Sequence, residues 1–137
     1  MSNWKNVQYK DGKLRTNEGG GGSSGHTYST TEQQTDDIWV DGKPVYEITF
    51  NFQALNNSSD ATKDISGLNV DTIISCVGMA YGGFEAVINF GDPYDIPSSI
   101  ITCFAIKSSG LLCLRTRRSD ASSFSAYVTM RYTKSTD

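Results

Sequence analysis

The stretch Val45 to Phe52 alternates strictly, with Tyr46, Ile48, Phe50 and Phe52 on one side and Val45, Glu47, Thr49 and Asn51 on the other. Successive side chains of a strand point to opposite faces, so this spacing predicts a strand half-buried through its large apolar face. The same period returns at Phe124, Ala126, Val128, Met130 and Tyr132, which supply the inward face of a last strand. Between them Thr72 to Ala80 and Phe84 to Phe90 read as strands, and Ile100 to Lys107 pairs with Leu111 to Arg117 around a Ser108-Ser109-Gly110 turn. From Ile38 onward no segment carries a helical stripe. About seven or eight strands at this spacing imply an all-β body, a two-sheet β-sandwich or jelly-roll-like knob with packed inner and polar outer faces.

One connection is explicit in the residues. Trp39-Val40-Asp41-Gly42-Lys43-Pro44-Val45-Tyr46 joins two β-rich runs through Asp-Gly, and such a pair suits a tight hairpin because glycine accepts positive φ and aspartate tolerates it. Pro44 lacks an amide donor, which fits a strand's first residue or a sheet edge. Trp39 and Tyr46 could then pack beside each other across this turn. Ahead of the body, residues 3–16 alternate loosely around Asp11-Gly12 as a short hairpin or extended arm, and Glu18 to Gly25 reads as a flexible glycine and serine linker. The chain therefore divides into an arm over residues 1–17, a linker over 18–30 and a knob over 31–137. An isolated hairpin buries too little surface to offset chain entropy, so the arm is expected to order against a partner.

The net charge of −3 hides an asymmetry. The arm holds Lys5, Lys10, Lys13 and Arg15 against Asp11, net +3, while the rest holds eight cations against fourteen anions, net −6. A basic arm on an acidic body suggests docking to an acidic surface; a nucleic-acid binder is basic over its whole domain, so nucleic acid is not expected as a partner. Cys76, Cys103 and Cys113 are an odd set without Cys-x-x-Cys spacing and read as buried thiols, although Cys103 and Cys113 could face each other across their hairpin. No apolar run approaches the roughly 20 residues that span a bilayer, and Met1 to Lys5 lacks a secretory hydrophobic segment, so membrane insertion is not expected and the chain should stay in the cytosol.

Few residues suggest chemistry. His26 is the sole histidine and sits beside the glycine tract, a poor mount for a catalytic base that needs firm orientation. Asp36 with Asp37, and Asp92 with Asp95, fall at turns or edges, and Asp92-Pro93-Tyr94-Asp95 reads as a turn former and lacks the oxygen ladder of a calcium loop. Gly19 to Gly22 lacks the lysine and helix of a phosphate loop. No catalytic, cofactor-binding or metal residues are assigned. Tyr81, Tyr94, Arg115, Arg117 and Arg118 form a candidate ligand surface, with Arg115 and Arg117 on one strand face; Phe84 and Phe124 are expected in the core.

Read as a string, Trp39 to Tyr46 with Ile48, Thr49 and Phe50 resembles the signature W-[IV]-D-G-K-P-[LIV]-Y-x-x-T that opens a small β domain in structural proteins of tailed bacteriophages and prophages. Residues Trp4 to Thr16, followed by a glycine tract, are similar to the arm of phage head-fibre and minor virion proteins, and Tyr132-Thr133-Lys134-Ser135-Thr136-Asp137 resembles a Y-T-K-[TS]-T-D terminus of the same group. The resemblance implies a non-enzymatic minor virion protein, placed as a head fibre or capsid decoration, with a tail-fibre or baseplate position as the alternative. It implies a homotrimer, adhesion to host-surface polysaccharide, and residence in the virion after assembly in the bacterial cytoplasm. Trp4, Val7 and Tyr9 would then anchor the arm while Lys5, Lys10, Lys13 and Arg15 complement acidic groups on a capsid or tail protein. Trp39, Asp41, Gly42, Lys43, Pro44 and Tyr46 carry the structural motif. From another class, a stand-alone carbohydrate-binding module would use the loop aromatics and arginines.

Overall fold

The computed structural model describes residues 7–10, 13–16, 25–55, 60–82, 85–94, 96 and 101–137, with backbone alone at 7–10, 13–16, 86 and 89. Strands β1 (Val7–Lys10) and β2 (Lys13–Thr16) pair antiparallel as a two-stranded sheet, Val7 opposite Thr16. Among the docking residues, Val7, Tyr9 and Lys10 therefore lie on β1 and Lys13 and Arg15 on β2, whereas Trp4 and Lys5 fall outside the described residues.

The body is all-β. It comprises β3 (Gln33–Ile38), β4 (Pro44–Ala54), β5 (Ala61–Asp64), β6 (Val70–Tyr81), β7 (Glu85–Phe90), β8 (Ile101–Ile106), β9 (Leu111–Thr116) and β10 (Ser125–Lys134). These eight strands make one sheet in the order β3-β4-β10-β6-β7-β8-β9-β5. Every neighbouring pair is antiparallel except β7 with β8. Inward residues from both ends of that order, including Ile48 and Phe52 of β4 and Leu112 and Leu114 of β9, meet in a single core. A sheet can bury one face this way only by curling on itself, and Lys63 of the edge strand β5 accordingly reaches over the Phe52 ring of β4 at 5.9 Å. The strands expected in two sheets belong here to one continuous sheet that curls over its core.

The inward parity of the central strands follows the sequence. Ala126, Val128, Met130 and Tyr132 of β10 are fully buried, and Ile48 and Phe52 of β4 face the same core with Tyr46 and Phe50 packed against it. Burying such a side chain contributes about 1.5–3 kcal/mol, so these two alternating runs carry much of the stability. On β6 the inward positions are Cys76, Gly78 and Ala80, set opposite Met130, Val128 and Ala126. There is no room for more, because a Cβ on Gly78 would lie 2.4 Å from the Tyr127 carbonyl oxygen.

Parallel neighbours cannot be joined by a tight hairpin, so the chain between β7 and β8 must cross a sheet face. Its described residues lie against the outer one. Arg115 Nη1 donates to the Pro93 carbonyl at 3.0 Å, Ile96 is buried, and Phe104 and Cys113 are buried yet stand apart from the main core. Asp92 closes a turn by accepting the Tyr94 amide at 2.8 Å, the turn-forming role expected of it; Asp95 and Phe84 lie outside the described residues.

Two contacts that the sequence leaves open do not form. Cys103 pairs across the β8–β9 ladder with Leu114, and Cys113 with Phe104, so the two thiols occupy opposite faces and cannot face each other. All three cysteines are buried and none is in a disulfide. Trp39 and Tyr46 do not pack together either: the β3–β4 register places Tyr46 opposite Gln34, and its ring lies 6.0 Å from that of Tyr132.

Candidate functional site

The Asp-Gly hairpin forms as its residues dictate. Gly42 has φ +87°, Trp39 donates its amide to the Lys43 carbonyl at 2.8 Å, and Asp41 Oδ1 accepts the Lys43 amide at 3.0 Å. Pro44 is the first residue of β4, where its missing donor is harmless. Lys43 then fixes the hairpin to the body through Asp71 Oδ2 at 2.6 Å and the Lys134 carbonyl at 3.2 Å. That ion pair raises the Lys43 ammonium and lowers the Asp71 carboxyl from their ordinary values.

Ahead of β3, residues 26–32 run on beside β4 and are held at several points. His26 Nε2 donates to Glu47 Oε1 at 2.7 Å, Thr49 donates its amide to the Ser29 carbonyl at 2.8 Å, and Glu32 accepts from Tyr132 Oη and from Lys134 Nζ, the latter at 2.6 Å. The Tyr132 phenol is held well above its ordinary value, first by burial and then by the Glu32 hydrogen bond. His26, expected on a flexible tether, is thus fixed at the edge of the outer face, with its ring edge-on to Tyr28 at 4.4 Å. Its carboxylate partner, Glu47, has no sequence signal beyond an outward strand position; only the fold brings the two together.

These contacts build one wall of a groove of about 620 Å³ on the outer face of β4, β10 and β6. Tyr28 stands on the wall, and Thr49, Thr129, Val77, Met79 and Tyr127 form much of the floor. Several polar groups are engaged with one another. Thr49 and Thr129 hydroxyls lie 2.8 Å apart, Arg131 reaches Asp37 and has its Nε 3.6 Å from Glu47 Oε2, and Asn51 Nδ2 donates to Tyr127 Oη at 3.4 Å. The large exposed side chains here are Val77, Met79, Tyr81 and Tyr127, continued onto β7 by Val87. Tyr81 and Tyr127 stand nearly parallel, centroids 6.0 Å apart and planes 13° apart. Arg131 Nε is buried without a hydrogen-bond partner; the apolar surface beside it can receive apolar or aromatic groups by contact.

The residues chosen from sequence as a ligand surface are divided by the structure. Tyr81 lies on this outer face, while Tyr94 follows Pro93 in the β7–β8 connection, at the opposite end of β7. Arg115 forms a bidentate pair with Asp60 at 2.7 and 2.8 Å and stacks over the Phe104 ring at 4.8 Å. Arg118 pairs with Asp120 and lies over Phe124, which is buried as expected, whereas Arg117 is exposed beyond the end of β9. Among the described residues no three His, Cys, Asp or Glu side chains gather where a metal ion could sit, and no helix is long and apolar enough to cross a membrane. Comparison with protein-family models, with curated proteins and with solved structures finds no match to this chain.

Proposed function

We propose that this chain is a non-enzymatic structural component of a bacteriophage particle, a head fibre or capsid decoration, whose basic arm fastens to the particle and whose curled-sheet body projects from it. The observation that carries this reading is the arm itself: a two-stranded sheet separate from the eight-stranded one, net +3 in sequence, and joined to an acidic body through a glycine tract. Such an element is suited to an acidic receiving surface, where apolar anchors and opposite charge act together. The three sequence likenesses to phage virion proteins support the same reading, and a tail-fibre or baseplate position is its nearest variant.

The test is to purify the particles released by the genome that encodes the chain and to quantify the chain by mass spectrometry. A fixed copy number per particle, lost when residues 1–17 are deleted, is expected. Absence of the full chain from purified particles would overturn the proposal. A second reading, a glycan-binding module, is favoured by the parallel Tyr81 and Tyr127 rings, which offer flat faces to a sugar. Binding on a glycan array that is lost in Tyr127→Ala would select it.

A further inference from the structure

From Cys76 to Tyr81 strand β6 is apolar on both faces. Inward it places Cys76, Gly78 and Ala80; outward it places Val77, Met79 and Tyr81. A sheet with one face in water normally alternates apolar with polar, and a run apolar on both faces belongs to a strand covered on both sides. Here the larger side chains are the outward ones. Val77 is 67 % exposed, Val87 65 %, Tyr127 44 %, Tyr81 41 % and Met79 40 %. Cross-strand pairing makes them contiguous, Met79 lying between Tyr127 on β10 and Val87 on β7.

We infer that this face is the contact between two copies of the chain, packed outer face to outer face. Three observations carry the choice of a second copy. First, the centre of the patch holds no charge: Glu85 lies at one rim, and Arg131, Asp37 and Glu47 at the other. Two identical faces can therefore meet without setting like charges together at the centre. Second, part of the polar lining is already paired within each copy, Thr49 with Thr129 and Asn51 with Tyr127, and such pairs can be covered without losing their partners. Third, the area suffices. With two-fifths to two-thirds of Tyr28, Val77, Met79, Tyr81, Val87 and Tyr127 still open, and large side chains burying ~150–250 Å² each, the face offers roughly 600 Å² per copy, about 1,200 Å² across a pair.

That is the lower bound of specific interfaces, which sets the expected affinity on the order of micromolar. Two such sheets pack as the layers of a sandwich do, about 10 Å apart with strands near 30°. A face that meets itself is isologous and closes at two copies, not the three that the phage resemblance implies. The inference adds a partner and a surface to the proposed function but does not need the chain to be in a virion.

The test is the mass of the full chain by analytical ultracentrifugation from about 1 to about 200 µM. The expected result is a shift from one to two copies of the 15.0 kDa chain. Val77→Lys and Val87→Lys should weaken it at least ~100-fold, since each buries an unpaired charge. Val40→Lys, at the exposed hairpin tip, should leave it unchanged. Circular dichroism and melting of each variant show whether it is folded, and Tyr127→Ser replaces any that is not. A chain that stays monomeric at ~200 µM, a trimer, or a dimer indifferent to all three patch substitutions overturns the inference. Monomers found nevertheless in purified particles would sink the interface and leave the virion reading intact.

Discussion

Replacing Gly78 by alanine sets two effects against each other. Glycine inside a strand is disfavoured by roughly 0.5–1 kcal/mol relative to alanine, so backbone propensity alone favours the variant. The structure opposes it. The new methyl would sit 2.4 Å from the Tyr127 carbonyl oxygen, 2.9 Å from Val128 Cγ2 and 3.1 Å from Val128 Cα. Two of those atoms are backbone of β10, and β10 is clamped between β4 and β6, with Val128 opposite Phe50 on one side and Gly78 on the other. Relief requires β6 and β10 to part by several tenths of an ångström. Overpacking of this kind costs about 1–3 kcal/mol, and each ladder hydrogen bond loosened adds about 0.5–1.5 kcal/mol. Steric cost wins, and Gly78→Ala is expected to lose about 3 kcal/mol net, a fall in Tm of roughly 10 °C for a body of this size. Urea unfolding read by circular dichroism measures it, with the midpoint moving and the slope unchanged. Gly67→Ala, whose Cβ meets nothing within 4 Å, is the control and should stay within about 0.5 kcal/mol. A Gly78→Ala protein as stable as the parent would refute the close approach of β6 to β10.

Other consequences are open to measurement. No cysteine should react with a thiol reagent in the native protein and three should react in denaturant, since all are buried and unbridged and a hydrogen bond to the Cys76 thiol together with burial holds the Cys103 thiol far above its ordinary range; fast native reaction of any of them contradicts the packing. Tyr132 ionises in the unfolded chain near pH ~10 but only at higher pH when folded, so its contribution is complete below that pH and is lost above it. Tyr132→Phe should therefore flatten the alkaline limb of a Tm-against-pH curve while costing about 1 kcal/mol at neutral pH; an unchanged limb counts against the burial of the phenol beside Glu32. Asp71 is shifted the other way by Lys43, so its contribution is present above about pH 4 and lost as acid protonates it. Lys43→Met should reduce the drop in Tm between pH ~5 and ~3, and an identical acid limb would show that the pair does not form.

Much of the fold was legible because two runs obey one period. Tyr46 to Phe52 and Ala126 to Tyr132 put their apolar residues on the inner face, and Asp41-Gly42 and Gly110 mark turns in which each glycine takes positive φ. The side on which each of Cys103 and Cys113 falls turns on a single residue. Taking Ser108-Ser109-Gly110 as the whole turn would set both thiols on one face, but the connection runs from Lys107 to Gly110 between the paired Ile106 and Leu111. One added residue flips the parity of a strand against its partner. The parallel pairing of β7 with β8 had no local mark at all, since neither run signals the direction of the strand beside it. The groove was equally hidden: His26 and Glu47 are 21 positions apart, and nothing in either residue's neighbourhood announces the other.

The reversal of size on β6 connects these observations. A sequence pattern reports that Val77, Gly78, Met79 and Ala80 are all apolar, and from that alone the larger residues belong in the core. The curl of the sheet forbids it, because Gly78 has no space for even a methyl, so β10 must supply the bulk of the core there while β6 turns its own bulk outward. The outward residues are thus not surplus hydrophobicity scattered over a surface, since register holds Val77, Met79 and Tyr81 in one row with Tyr127 and Val87 on either side. A row fixed by a central ladder cannot be hidden by rotating side chains or slipping a strand without exposing the core. It stays presented for as long as the fold exists, which is the physical requirement for a permanent contact surface.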